Sequence, residues 1–199
     1  MKLKAIHLFL FITFIWLGCN AQQLQYEPTS NLSYIVKEGG TKSNLLILIH
    51  RYGSNEKDLF SFANRFPKTT VICVRGPITR SGNSFCWYDI QFRNNGEHER
   101  DLQQAVQSET MLLQFISAME DKYETTNTII GGFSQGAIIS AKIALSHPES
   151  VDGIICISGM LLSTDLTPNI KLSKQYKSIK AFYSHGTRDN VISIDKGRR

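Results

Sequence analysis

The stretch IIGGFSQGAIIS, Ile129 to Ser140, sets Ser134 between Gly132 and Gly136. A serine hydroxyl attacks a carbonyl only when a turn displays it, a base takes its proton and N–H donors receive the charge developing on the attacked oxygen. A tight strand-to-helix turn needs small residues two positions before and after the nucleophile, because a Cβ there would crowd the backbone; the two glycines meet that need. At average composition G-x-S-x-G arises by accident in roughly one chain of this length in fifteen, so the bare pattern carries little weight. Its context carries more: an apolar β-branched run precedes it and an apolar helical pattern follows. The sequence therefore predicts a nucleophile at a strand end, with a small structural turn residue as the competing reading.

In such an arrangement one oxyanion donor is the backbone N–H of the residue after the nucleophile, here Gln135, and the other comes from a loop after an earlier strand. LILIHRYGSNEKDL, Leu46 to Leu59, has that form, and Tyr52 or Arg51 would supply the second N–H. An acid is expected in a loop at another strand end, and Asp189 follows the apolar run IKAFYSH by a few residues. The chain order Ser, then Asp or Glu, then His is expected, yet His7, His50, His98, His147 and His185 all precede Asp189. His50 and His185 stand at strand ends where they could line the site, although a structural role suits them better. His147 closes a helix, where a contact with the helix dipole is the simpler reading, and His98 in NGEHERD reads as a solvated loop residue. No second histidine stands at ligand spacing and no C-x-x-C occurs, so no metal site is expected.

These residues need a scaffold that brings strand ends to one rim. Asn44–His50, Thr69–Val74, Asn127–Phe133, Val151–Ser158 and Ile179–His185 are continuous apolar runs, the pattern of parallel strands covered on both faces. Between them lie helical patterns: Asp101 to about Tyr123 with a single apolar stripe, EKDLFSFANRF, and GAIISAKIALSHP ended by Pro148. Strand and helix alternating in this way predict an open, doubly wound α/β sheet, with ligands beyond the carboxyl ends of its strands. The long connections Gly76–Arg100 and Leu161–Ser178 read as functional walls or covers.

The 199 residues, 42% hydrophobic and 20% charged, fit one globular domain over residues 22–199. A net charge of +5 without a basic patch beside aromatics implies no nucleic-acid partner. Lys2 and Lys4 ahead of AIHLFLFITFIWLG read as a signal peptide over residues 1–21, hence an exported, periplasmic or secreted protein. The competing reading is a lipoprotein signal ending before Cys19, the one route by which a membrane partner is expected. Cys73 and Cys156 lie in apolar runs and read as small hydrophobes; Cys86, beside Trp87, is left open for a disulfide. Lys171, Lys174, Lys177 and Lys180 read as a solvated face.

GGFSQGA, IHRYGSNEKDL, WYDI and HGTRDNVI together resemble, in order, the phospholipase/carboxylesterase family of α/β-hydrolases, which includes acyl-protein thioesterases. The resemblance implies an α/β-hydrolase fold and a serine esterase that cleaves carboxylic esters through an acyl-enzyme on Ser134. Tyr52 and Gln135 would form the oxyanion hole, Asp189 would orient a histidine, and no cofactor would be required. Trp87, Tyr88 and Asp89 match a segment more suited to a structural wall than to catalysis. The family usually has glycine where this chain has Arg51. The family would also continue for several tens of residues and place its base histidine there. The expectation is therefore an incomplete chain, lacking the last strand and helix and nearly inactive by itself, acting in full length on a small-molecule ester. The alternative is a non-catalytic binding protein on the same scaffold.

Overall fold

The computed structural model describes residues 23–40, 44–93, 98–161 and 178–198. The expected signal peptide, Cys19 and Lys171, Lys174 and Lys177 lie outside the described residues, as does most of the Leu161–Ser178 connection. No helix among the described residues is long and apolar enough to cross a membrane.

The frame is a 7-stranded sheet. Its members are β1 (Gln25–Glu27), β2 (Leu32–Lys37), β3 (Asn44–Ile49), β4 (Thr70–Val74), β9 (Asn127–Phe133), β10 (Gly153–Ile157) and β11 (Lys180–Ser184), in the spatial order β1-β2-β4-β3-β9-β10-β11. From β4 to β11 every pairing is parallel, while β2 meets β4 and β1 meets β2 antiparallel. The apolar runs read from the sequence thus become the parallel strands, each trimmed by up to two residues at its ends. β1 and β2 were not anticipated. In LSYIVK polar and apolar residues interleave near one edge of the sheet, which leaves a weaker signal than the unbroken NLLILI of β3.

Alternation along β3 divides the core. Leu45, Ile47 and Ile49 pack with α1 (Leu102–Tyr123) and α2 (Gln135–Ser146), whereas Leu46 and Leu48 face a second cluster with Leu59, Phe60 and Ala63. Asp101 is the cap of α1, its carboxylate accepting the Gln104 N–H at 3.0 Å, which satisfies one of the helix's orphan amides. The helix expected over EKDLFSFANRF reduces to a 3₁₀ segment, Phe60–Arg65. Its Phe60 and Ala63 are buried at the i, i+3 spacing that suits a 3₁₀ turn.

The long Gly76–Arg100 connection carries two hairpins: β5 (Ile78–Ser81) with β6 (Ser84–Cys86), and β7 (Ile90–Phe92) with β8 (His98–Arg100). A short helix, α3 (Ile194–Gly197), follows the Asp189 loop. Cys73, Cys86 and Cys156 are all buried free thiols, so the disulfide left open for Cys86 is not formed. Burial pushes the Cys86 thiol up to about 12, an inert rather than a reactive state.

Candidate active site

β9 runs into α2 through Ser134, whose φ of 53° and ψ of −114° lie where a non-glycine residue is strained. The surroundings hold it there. A Cβ on Gly132 would stand 2.5 Å from the Ile49 carbonyl oxygen, and one on Gly136 would stand 2.0 Å from the same atom. The glycines therefore let the turn press against the end of β3. The Ser134 N–H donates to the Ile157 carbonyl at 2.9 Å, tying the turn to β10, and its own carbonyl accepts from Ile138 N–H at 3.0 Å. Gln135 is the first residue of α2, and a first-turn N–H has no acceptor inside its own helix. Its side chain has a separate task that the sequence did not disclose. Oε1 accepts the Trp87 N–H at 2.9 Å and Nε2 donates to the Tyr88 carbonyl at 2.7 Å, fastening the segment that leads into β7.

The loop after β3 is braced from several sides. Gly53 takes φ 74° and donates to the Phe85 carbonyl at 2.9 Å, while Phe85 N–H returns a bond to Ser54 at 2.7 Å. Glu56, almost wholly buried, receives two guanidinium bonds from Arg75 at 2.6 and 2.8 Å. Burial raises the Glu56 pKa, but the Arg75 bonds outweigh it and hold the carboxyl below its ordinary value. Arg51, where the family usually has glycine, takes no left-handed backbone, so its side chain fits this loop without that strain.

One cavity of about 410 Å³ gathers Arg51, Tyr52, Ser134, Gln135 and Asp189 on its lining. Asp189 follows β11, and its Oδ1 accepts N–H bonds from Val191 at 2.9 Å and Ile192 at 3.0 Å. Burial raises its pKa; the Ile192 and Val191 amides and the nearby His185 outweigh that and leave the carboxyl below its ordinary value, ionised at neutral pH.

Other expectations are corrected. His50 and Trp87 are not on the cavity's lining. The His50 Nδ1–H donates to the Arg51 carbonyl at 2.7 Å and Nε2 accepts the Gly76 N–H at 2.9 Å, while the Trp87 indole donates to the His50 carbonyl at 3.1 Å. Both residues are buried, and burial lowers the His50 pKa, outweighing the Arg51 carbonyl bond that raises it. His185 does not line the cavity either. Its Nε2–H donates to the Ile192 carbonyl at 2.7 Å, with Asp189 Oδ2 at 3.5 Å, and its Nδ1 shares a hydrogen bond of 2.7 Å with the Tyr183 hydroxyl. It latches the Asp189 loop from below. His147 closes α2 as read, its backbone N–H donating to the Ile143 carbonyl at 2.7 Å, and its ring lies 3.5 Å from Glu149 and 3.9 Å from Glu109.

His98, read as a solvated loop residue, lines the cavity with Arg100, Ile90 and Phe92. Their spacing of two in each strand was the available signal, but HER is too short a strand to be distinguished from a polar loop. Among the described residues no group of three or more His, Cys, Asp or Glu side chains could hold a metal ion.

A strained serine between a parallel strand and a buried helix, on a sheet of this topology, defines the α/β-hydrolase fold. The chain belongs to the phospholipase/carboxylesterase family, which it matches over residues 30–199. It is 30% identical over 127 residues to acyl-protein thioesterase 1 of Debaryomyces hansenii, covering 62% of this chain and 54% of that protein. Against acyl-protein thioesterase 1 of Mycosarcoma maydis it is 28% identical over 127 residues, 57% of this chain and 50% of the other. The chain thus spans about half the length of the curated relatives it matches. Among solved structures, esterase PE8 is similar with a TM-score of 0.68 at 25% identity, covering 84% of this chain and 80% of that one. The Bacillus cereus carboxylesterase has the same fold, with a TM-score of 0.68 at 22% identity over 84% of this chain and 76% of its own.

Proposed function

We propose that this chain carries the nucleophile, oxyanion hole and acid of a serine hydrolase that cleaves carboxylic esters or thioesters through an acyl-enzyme on Ser134. The observation that supports it most is the strained turn at Ser134 sharing one cavity with Tyr52, Gln135 and Asp189. In this reading Ser134 Oγ attacks the carbonyl carbon and its proton passes to a histidine held by Asp189. The oxyanion then meets the N–H groups of Gln135 and Tyr52, the alcohol or thiol leaves with that proton, and water releases the acid by the reverse route. In the family's chain order the base histidine comes after the acid, and residues 190–199 contain no histidine. The acyl substrates span carboxylesters and lysophospholipids. The N-terminal 21 residues direct the protein out of the cytoplasm, and lipidation of Cys19 would anchor it.

A second reading, a non-catalytic binding protein, is favoured by the engagement of His50 and His185 with partners away from Ser134. The test is hydrolysis of p-nitrophenyl acetate and labelling by a fluorophosphonate, on this chain and on any reading frame continued past Arg199. Ser134→Ala is expected to remove turnover by about 10⁶-fold in a chain with its base and to abolish labelling while the circular dichroism spectrum is retained. Hydrolysis that survives Ser134→Ala would refute the assignment. No labelling of Ser134 in a continued chain favours the binding protein.

A further inference from the structure

The wall of the Ser134 cavity has a charge pattern that the nucleophile does not use. In the β7/β8 hairpin Ile90 stands opposite Arg100 and Phe92 opposite His98, and all four line the cavity. Residues alternate between the faces of a strand, so an apolar strand and a polar strand that carries the Arg100 cation lie side by side against the same space. Glu99, between His98 and Arg100, falls on the other face, where it pairs with Arg93 at the surface. Arg51 and Lys196 add further cations to the lining, Arg51 partly offset by Asp58 at 3.4 Å. Among the described residues Asp189 is the one carboxylate on the lining, and its Oδ1 is held by two backbone amides. Among the described residues Arg100 Nε makes no hydrogen bond, and the guanidinium stands near the buried Tyr88 hydroxyl, so Arg100 enters the lining as a full cation beside a neutral phenol. A guanidinium is matched best by an anionic oxygen, and with Arg51, Lys196 and Arg100 against the carboxylate of Asp189 the lining carries an excess of positive charge.

We infer that this cavity selects substrates that carry an anion, with an oxyanion group set against Arg100 and the neutral chain lying on Ile90 and Phe92. The inference deepens the esterase reading and takes from it only that the cavity is a substrate site. Arg51 and Lys196 add to the positive field of the lining, and Arg51, half exposed, is screened by salt.

The test measures binding without turnover. Two amides of matched length, anionic N-butylsuccinamate and neutral N-butylbutanamide, are titrated into the chain by calorimetry. The anion is expected to bind about tenfold tighter, as one charge-assisted hydrogen bond predicts, with the preference shrinking in about 0.5 M salt, where the screening length is a few ångström. Arg100→Gln is expected to bring the two affinities within about threefold, and Arg100→Lys to restore part of the preference, which also covers the case in which the glutamine variant does not fold. Equal affinities, no measurable binding of either amide, or a preference unchanged in Arg100→Gln would overturn the inference. Absent ester hydrolysis alongside an intact anion preference counts against the esterase reading alone.

Discussion

β4 and β11 are both five-residue strands held in parallel pairings within one sheet, yet every residue of TVICV in β4 is buried and every residue of KAFYS in β11 is exposed. β4 lies between β2 and β3 and under packed side chains on both faces. β11 pairs with β10 alone among the described residues, leaving Phe182 60% exposed and Tyr183 43%. Burial is thus conferred by neighbours rather than by a strand's own composition. The contrast extends to the site. Ser134 emerges from β9, beside β3 at the sheet's centre, where its strained backbone is enforced by surrounding carbonyls. Asp189 hangs from the outer strand and is placed by local bonds to Val191, Ile192 and His185.

The contrast can be broken first at its strongest point. Gly136→Ala puts a Cβ 2.0 Å from the Ile49 carbonyl oxygen, and the expected loss is about 4 kcal/mol or more, in the range reserved for strain that cannot relax. Denaturant unfolding measures it; a loss near that of a surface change would show that the elbow is not clamped as described. Ile72→Ala in β4, fully buried, is expected to cost about 2–5 kcal/mol through lost transfer energy and a residual cavity. A smaller effect comes from pH. His50 has its pKa lowered by burial from the ordinary 6.5, so the unfolded chain binds the proton more readily than the folded one. Stability is therefore full above pH 6.5 and falls as pH drops through the window between 6.5 and the lowered folded value. Protonation also removes the Nε2 acceptor for Gly76. Thermal melts of His50→Gln should lose part of this acid sensitivity; an identical pH slope would acquit His50. Phe182→Ala in β11 is expected to change stability by no more than about 0.5 kcal/mol, as at other exposed positions. A cost matching Ile72→Ala would mean that β11 is covered in solution.

The parallel strands and the elbow were legible because their signals are local. An unbroken apolar run such as TVICV is self-declaring, and glycines two residues either side of Ser134 state a backbone requirement outright. The β7/β8 hairpin was not legible. His98 and Arg100 reach the cavity only because β8 pairs with β7 across residues 94–97, and NGEHERD contains nothing apolar to announce a strand. His50 and His185, at strand ends with the chemistry of a site, could have lined it, but their ring nitrogens are committed to Gly76, Arg51 and Ile192, the structural role that suited them better.

The sequence by itself therefore determined which serine can stand at a turn, because only glycine neighbours allow that backbone and only continuous apolar runs can flank it. It also carried, through periodicity, the order along the chain of the parallel strands and of the two long helices. The tertiary structure alone decided which side chains share the cavity with Ser134. That depends on register, on which face of a two-residue alternation turns inward, and on which hydrogen bonds a ring has already made. Those are contacts between residues far apart in the chain, and no local pattern encodes them.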